Sequence, residues 1–229
     1  MEIVGRIDRV DMAQGEDGLL LRVIDYKSSQ TDLKLHEVYF GLSLQMLTYL
    51  DVLLSSAEMW LGQPALPAGT LYFHVHNPLL QSSNGMTLEQ AQLEMLKRFK
   101  MKGLLLADRD VIAKMDDKLE RGYSDILPVA VKADGGFYSS ASVATSEQWA
   151  TLLSSVRHVI AEIGTRITDG DIEIAPYRLG TETACTHCAY KPVCRFDETV
   201  EGSNYHLLNK PSKDKVWELL QVKDERGGA

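Results

Sequence analysis

The chain has 229 residues, 45% hydrophobic and 24% charged, with a net charge of −8; a chain of this kind can bury a globular core without disulfides. The acidic balance excludes a protein that coats nucleic acid through an overall basic surface, but not a nuclease, whose local site is acidic because it holds cations. No apolar run reaches the roughly 18–20 residues that cross a bilayer. No basic-then-apolar segment opens the chain either, so the expectation is a cytoplasmic protein without a membrane partner.

Residues 2–11, EIVGRIDRVD, alternate apolar and polar, QGEDG is dense in turn formers, and residues 19–26, LLLRVIDY, are apolar and β-branched. The pattern predicts a hairpin of 3–12 against 19–26, with its loop around Gly15–Gly18. After a polar break at Thr31-Asp32, helical periodicity runs from about 36 to 57, with Leu42, Gln45 and Tyr49 on one face. Residues 62–69, with Pro64 and Pro67, read as a loop, and 70–76, TLYFHVH, as a third strand. His74 and His76 share one face of that strand and read as packing residues rather than ligands.

Further along, Thr-Leu-Glu-Gln opens a helix over 87–102 as a capping box, and 108–118 reads as another short helix. Residues 127–144 form a small hairpin around Gly135-Gly136. A helix then spans 145–169, capped by Thr145 or Ser146 and closed by Gly170. The charged tail from Lys210 is expected to fray. Strands and helices in this order indicate a mixed α/β layer architecture. No Gly-x-x-x-x-Gly-Lys-Ser/Thr loop occurs, which argues against a self-contained ATPase.

The chemistry concentrates in Gly5-Arg6-Ile7-Asp8-Arg9 and Ile24-Asp25-Tyr26-Lys27-Ser28. On a strand, residues i and i+2 point the same way, so Asp25 and Lys27 project together, and the hairpin brings Asp8 near them. Two carboxylates and a backbone carbonyl suit Mg²⁺ or Mn²⁺, hard cations that prefer oxygen ligands and keep several waters. Such a cation polarises a phosphate oxygen and acidifies water, while an adjacent lysine orients the attacking water and offsets transition-state charge. Read alone, Asp-x-Lys at a strand end is more often a surface ion pair. Its place after the apolar run 19–24 shifts the balance, because an acid beside a buried strand is costly unless used.

Gly-Arg-Ile-Asp-Arg-Val-Asp, Val-Ile-Asp-Tyr-Lys-Ser-Ser and Gly-Leu-Ser-Leu-Gln-Met-Leu-Thr-Tyr-Leu-Asp, in that order over roughly residues 3–51, resemble the RecB-type branch of the PD-(D/E)xK nucleases, in particular its AddB-like members. The resemblance implies a restriction-endonuclease-like mixed sheet flanked by helices. It makes Asp8, Asp25 and the Tyr26 carbonyl the metal ligands, Lys27 the catalytic lysine, and Gln45 and Tyr49 a Gln-x-x-x-Tyr pair facing the site. Asp11 ranks below Asp8, since the family's ligand follows Gly-x-Ile. The implied function is hydrolysis of single-stranded DNA unwound from double-strand breaks, beside an AddA-like helicase–nuclease subunit. The alternatives are a non-catalytic DNA-binding or scaffold module and a zinc-stapled interaction domain.

Cys185, Cys188 and Cys194 lie after the last predicted helix in ACTHCAYKPVCRFD. Thiolates select zinc or an iron–sulfur cluster, and spacing alone favours zinc with His187 or His206 as fourth ligand. The resemblance favours a [4Fe–4S] cluster instead, because AddB-like nucleases share the C-x2-C-x5-C pattern. It also implies a fourth cysteine and a histidine upstream of the nuclease motifs. The expectation is therefore a piece of a longer subunit, with a nuclease core over 1–180, a cysteine segment and tail over 181–229, and no intact cluster by itself.

Overall fold

A computed structural model of the chain describes residues 2–75, 79, 80, 82 and 85–227, with the side chains of 225–227 left aside. Its centre is a five-stranded mixed sheet. The strands are β1 (Arg9–Gln14), β2 (Leu19–Lys27), β3 (Ala65–His74), β4 (Lys102–Leu106) and β7 (Val143–Ala144), in spatial order β1-β2-β3-β4-β7. β1 and β4 run antiparallel to β2 and β3 respectively, β2 is parallel to β3, and β7 is parallel to β4.

Both faces of this sheet are covered, so the inner strand β2 reads as a nearly continuous apolar run rather than an alternating one. Leu21, Val23, Leu104 and Leu106 face one core, shared with α1 (Leu35–Tyr39), α2 (Gln45–Leu61), α5 (Ser146–Thr168) and α7 (Lys213–Gly227). Ile24, Leu71 and Leu105 face a smaller core closed by α4 (Arg109–Ala113) and by Leu127, Val129 and Val131. In this second layer β5 (Gly122–Tyr123) pairs with β6 (Ala130–Val131), and Val131 bridges Phe137 across the Gly135 turn expected of a small hairpin. The capping boxes at Thr87, ahead of α3 (Leu88–Arg98), and at Thr145, ahead of α5, are both formed.

Four expectations need correction. The helix predicted over 36–57 is two helices. α1 closes with Gly41 N–H to the Val38 carbonyl and Leu42 N–H to the Glu37 carbonyl, a Schellman end with Gly41 left-handed at φ 78°. β3 begins at Ala65, inside the predicted loop. Pro67 is tolerated there because β3 pairs with β4 only from Gly69 onward, leaving that edge without a ladder partner. The first strand begins at Arg9 rather than at Ile3, for a reason the site supplies. His76 lies outside the described residues.

The fourth correction concerns the tail. Residues from Lys213 form α7, whose Val216, Trp217 and Leu220 are buried in the main core against α5 and α1. The helix following the cysteine segment thus shares the core of the sheet. Trp217→Ala is expected to lower stability by about 3 kcal/mol, the usual cost of emptying a buried aromatic site. A urea midpoint equal to that of the parent chain would show that α7 contributes little.

Between α5 and α7, β8 (Tyr177–Leu179) is flanked by β9 (Glu182–Thr183) and β10 (His206–Leu208), with the short α6 (Lys191–Cys194) in between. Among the described residues no helix is long and apolar enough to cross a membrane.

Candidate active site

The site lies where β2 ends and the chain enters β1. Asp25 is only 5% exposed, and Lys27, two residues on and on the same face, brings Nζ to 2.7 Å from Asp25 Oδ2. The pair is close but not aligned as a hydrogen bond, so Oδ2 is a buried oxygen with no hydrogen-bond donor among the described residues. A surface ion pair leaves its carboxylate open to solvent; this one is enclosed.

Asp8 stands one place before β1. The β1–β2 register pairs Arg9 with Ile24, and extending it by one step sets Asp8 opposite Asp25. The ladder does not continue. Instead Asp8 Oδ2 accepts the Tyr26 backbone N–H at 3.1 Å, a side chain taking the place of a strand partner. The two carboxylates are thereby tied to adjacent residues of one strand.

Upstream of Asp8 the chain leaves the sheet to meet α2. Tyr49 Oη accepts the Arg6 backbone N–H at 3.2 Å and the Gln45 side-chain N–H at 3.1 Å. Gly5 packs close against the same ring. A Cβ there would come within 2.6 Å of Tyr49 Cε1 and 2.9 Å of Oη, well inside van der Waals contact. This attachment explains why the predicted strand over 3–8 does not form. Gln45 and Tyr49 act on the segment that delivers Asp8, a role their spacing alone does not reveal. Gly5→Val is expected to displace that segment with thermal unfolding shifted only slightly; if Asp8 serves as a ligand in metal-dependent cleavage, the displacement reduces that cleavage about a hundredfold. Parent-level cleavage by the variant would remove Tyr49 from the site's architecture.

Asp11 is engaged elsewhere, by Arg9 at 2.7 Å and by Arg22. Burial pushes its carboxyl up, yet the hydrogen bonds and charges of the two arginines outweigh this and hold it below the ordinary range. His74 is buried beside Lys27 in the β2–β3 register, and its Nε2 accepts the Thr31 N–H at 2.7 Å. Tyr72, opposite Asp25 in the same register, was not singled out by the sequence. Burial pushes its phenol up, a Ser43 hydrogen bond pulls the other way, and the Asp25 charge adds to the rise.

The donors at Asp8, Asp25 and the Tyr26 carbonyl are hard oxygens, and a buried carboxylate oxygen without a donor suits a divalent cation that retains several waters. The cysteine segment differs. Cys185, Cys188 and Cys194 are free thiols, Cys188 exposed. No group of three or more His, Cys, Asp or Glu among the described residues is gathered to hold a metal. The segment is closed by other contacts. The Arg178 guanidinium lies 3.8 Å from the Tyr205 ring centre and 2.8 Å from Glu198, and Tyr205 meets Phe196 edge-on at 4.7 Å.

Residues 1–195 match a family model described as the PD-(D/E)XK nuclease superfamily. The chain is 48% identical over 230 residues to an ATP-dependent helicase/deoxyribonuclease subunit of Bacillus cereus (strain G9842), covering 100% of this chain and 20% of that protein. Its likeness to the protein of the same name from Bacillus licheniformis is 48% over 229 residues, again 100% of this chain and 20% of the relative. To the one from Geobacillus thermodenitrificans it is 49% over 227 residues, 98% of this chain and 20% of the relative. The chain spans about a fifth of the length of these curated relatives.

Proposed function

The chain belongs to the PD-(D/E)XK nuclease superfamily, and from that premise we propose that it is the phosphodiester-hydrolysing domain of an AddAB-type helicase–nuclease, cutting single-stranded DNA unwound from broken ends. The observation that carries this reading is the buried Asp25 oxygen, without a hydrogen-bond donor among the described residues, beside Lys27 and one residue from the amide that holds Asp8.

Asp8, Asp25 and the Tyr26 carbonyl would hold Mg²⁺ or Mn²⁺. When bound there, such a cation supplies Lewis-acid polarisation of a phosphate oxygen and lowers the pKa of water. Asp25 holds the Lys27 ammonium at the site. From that position the ammonium can orient an attacking water and offset charge developing on the phosphoryl oxygens. Tyr49, braced by Gln45, fixes the approach of the segment carrying Asp8. Burial of Asp25 strengthens its attraction for the Lys27 ammonium.

An AddA-like partner that feeds unwound strands fits the name the relatives carry, a helicase/deoxyribonuclease subunit. Within a protein of that length, Cys185, Cys188 and Cys194 would serve a [4Fe–4S] cluster completed by a fourth thiolate from outside this chain, a structural staple rather than a redox centre. Iron and sulfide analysis of the anaerobically purified longer protein tests that assignment, and bound zinc in their place overturns it. For the nuclease itself the test is Mg²⁺-dependent cleavage of labelled single-stranded DNA by the longer protein. Loss of cutting in Asp25→Ala and Lys27→Ala is the expected outcome. Persistence in both would leave a DNA-binding or scaffold module.

A further inference from the structure

A cleft of about 680 Å³ opens between α1, the start of β4, the 139–142 loop and the start of α7. In a chain of net charge −8, its lining is strongly basic. Lys34, Lys97, Arg98, Lys100, Lys102 and Lys213 face it, against Asp32 as the one acid among the described lining residues.

Four of these cations are partly engaged. Lys34 pairs with Glu37, Lys97 with Glu94, Lys100 donates to the Ser124 carbonyl and Lys213 to that of Ala141. Arg98 and Lys102 have no ion-pair or hydrogen-bond partner among the described residues. Tyr123 lies on the same lining, 69% exposed, its ring stacked at 6.0 Å on that of Tyr138, itself 43% exposed.

The cleft is aligned with the carboxylates by the sheet itself. Asp25 pairs with Tyr72 across β2 and β3, and Tyr72 pairs with Lys102 across β3 and β4. Paired residues point to the same face, and each strand step is about 4.8 Å, so Lys102 stands on the order of 10 Å from Asp25 along one row. A groove of cations with an exposed aromatic platform is the physical pattern for a strand with unpaired bases. Cations follow the phosphates, and rings stack on bases without reading sequence. An acidic peptide would use the charges but has no bases for the tyrosines.

We propose that this cleft is the track for single-stranded polynucleotide running to the Asp8–Asp25–Lys27 site, with Arg98 and Lys102 on phosphates and Tyr123 under a base. The inference rests on the nuclease reading and adds the route by which substrate arrives. It also accounts for how an acidic chain holds a polyanion: six of its 24 lysines and arginines line one cleft.

The test is fluorescence anisotropy of this chain with a labelled oligothymidylate in EDTA, where cutting cannot interfere, over a series of salt concentrations. The Arg98→Gln/Lys102→Gln double variant is expected to bind about tenfold more weakly. Its slope of log affinity against log salt should be shallower by about 1.4, two phosphate contacts at about 0.7 each. Tyr123→Ala should weaken binding about tenfold with the slope unchanged. All three exchanged side chains are at the surface of the cleft, and circular dichroism confirms that each variant is folded. Parent-like affinity and slope in both variants overturns the proposal, as does failure of the parent chain to bind at low salt. Loss in the double variant with none in Tyr123→Ala, and displacement of the oligonucleotide by polyglutamate charge for charge, also overturns it by showing a general anion sink. The nuclease reading stands or falls separately, on Asp25 and Lys27 in the cleavage assay with the cleft intact.

Discussion

Asp25→Asn is expected to reduce Mg²⁺-dependent cleavage of single-stranded DNA about a thousandfold, equivalent to about 4 kcal/mol of transition-state stabilisation, without unfolding the domain. The exchange keeps volume and shape but replaces a charged hard ligand with a neutral amide. Asp25 is 5% exposed, and its Oδ2 has no hydrogen-bond partner among the described residues, with the Lys27 ammonium close by but out of alignment. A carboxylate in that position is expensive to desolvate when no cation is bound, and Asp8 adds like charge next to it. In EDTA the variant should therefore be at least as stable as the parent. Lys27, partly exposed, can turn to water when its partner is neutral.

Added Mg²⁺ should then separate the two proteins. A ligand that binds only the folded state stabilises it by about 2.7 kcal/mol at a hundredfold excess over its dissociation constant. The parent's melting temperature should rise with Mg²⁺ and the variant's should not. Loss of activity accompanied by collapse of the fold in EDTA would make Asp25 a structural residue. Unimpaired cutting would remove it from the site.

Gly103→Ala should cost roughly 3 kcal/mol or more and can prevent folding altogether. Gly103 sits in β4 opposite Leu71 with φ 137°, a conformation costly for a residue with a side chain. A Cβ there would meet the Thr70 carbonyl oxygen at 2.1 Å and Leu71 Cα at 2.9 Å. Both contacts are backbone of a paired central strand, so neither can swing aside as a side-chain end would. Relief requires β3 and β4 to separate, which also breaks the row from Asp25 through Tyr72 to Lys102. Urea unfolding checks the prediction, and a midpoint within error of the parent would show that the two strands yield at little cost.

β4 itself was not legible in the sequence. Its five residues, KGLLL, follow the predicted helix without a turn signal, and the glycine reads as a breaker. Only the approach of β3 explains why a glycine is needed there. The continuous helix expected over 36–57 failed for the opposite reason: apolar spacing persists through Gly41, but the Schellman bonds of the α1 terminus divide it. The charged tail hid α7 because Val216, Trp217 and Leu220 are few among lysines and acids. Their i, i+1, i+4 spacing was the available signal.

The hairpin β1–β2, the caps at Thr87 and Thr145, the strand through 70–74 and the mixed α/β class followed from the sequence by itself. Each rests on interactions among residues close in the chain, whose period or cap chemistry is written locally. The sequence also placed Asp25 and Lys27 on one face, since two-residue alternation requires it. Only the tertiary structure decided that Asp8 leaves the strand to hold the Tyr26 amide, that Tyr49 on a separate helix anchors the segment before it, and that a basic cleft opens on the row shared with Asp25. Those features join residues 18 to 77 positions apart. They depend on which faces of the sheet and helices are pressed together, and local periodicity does not record that choice.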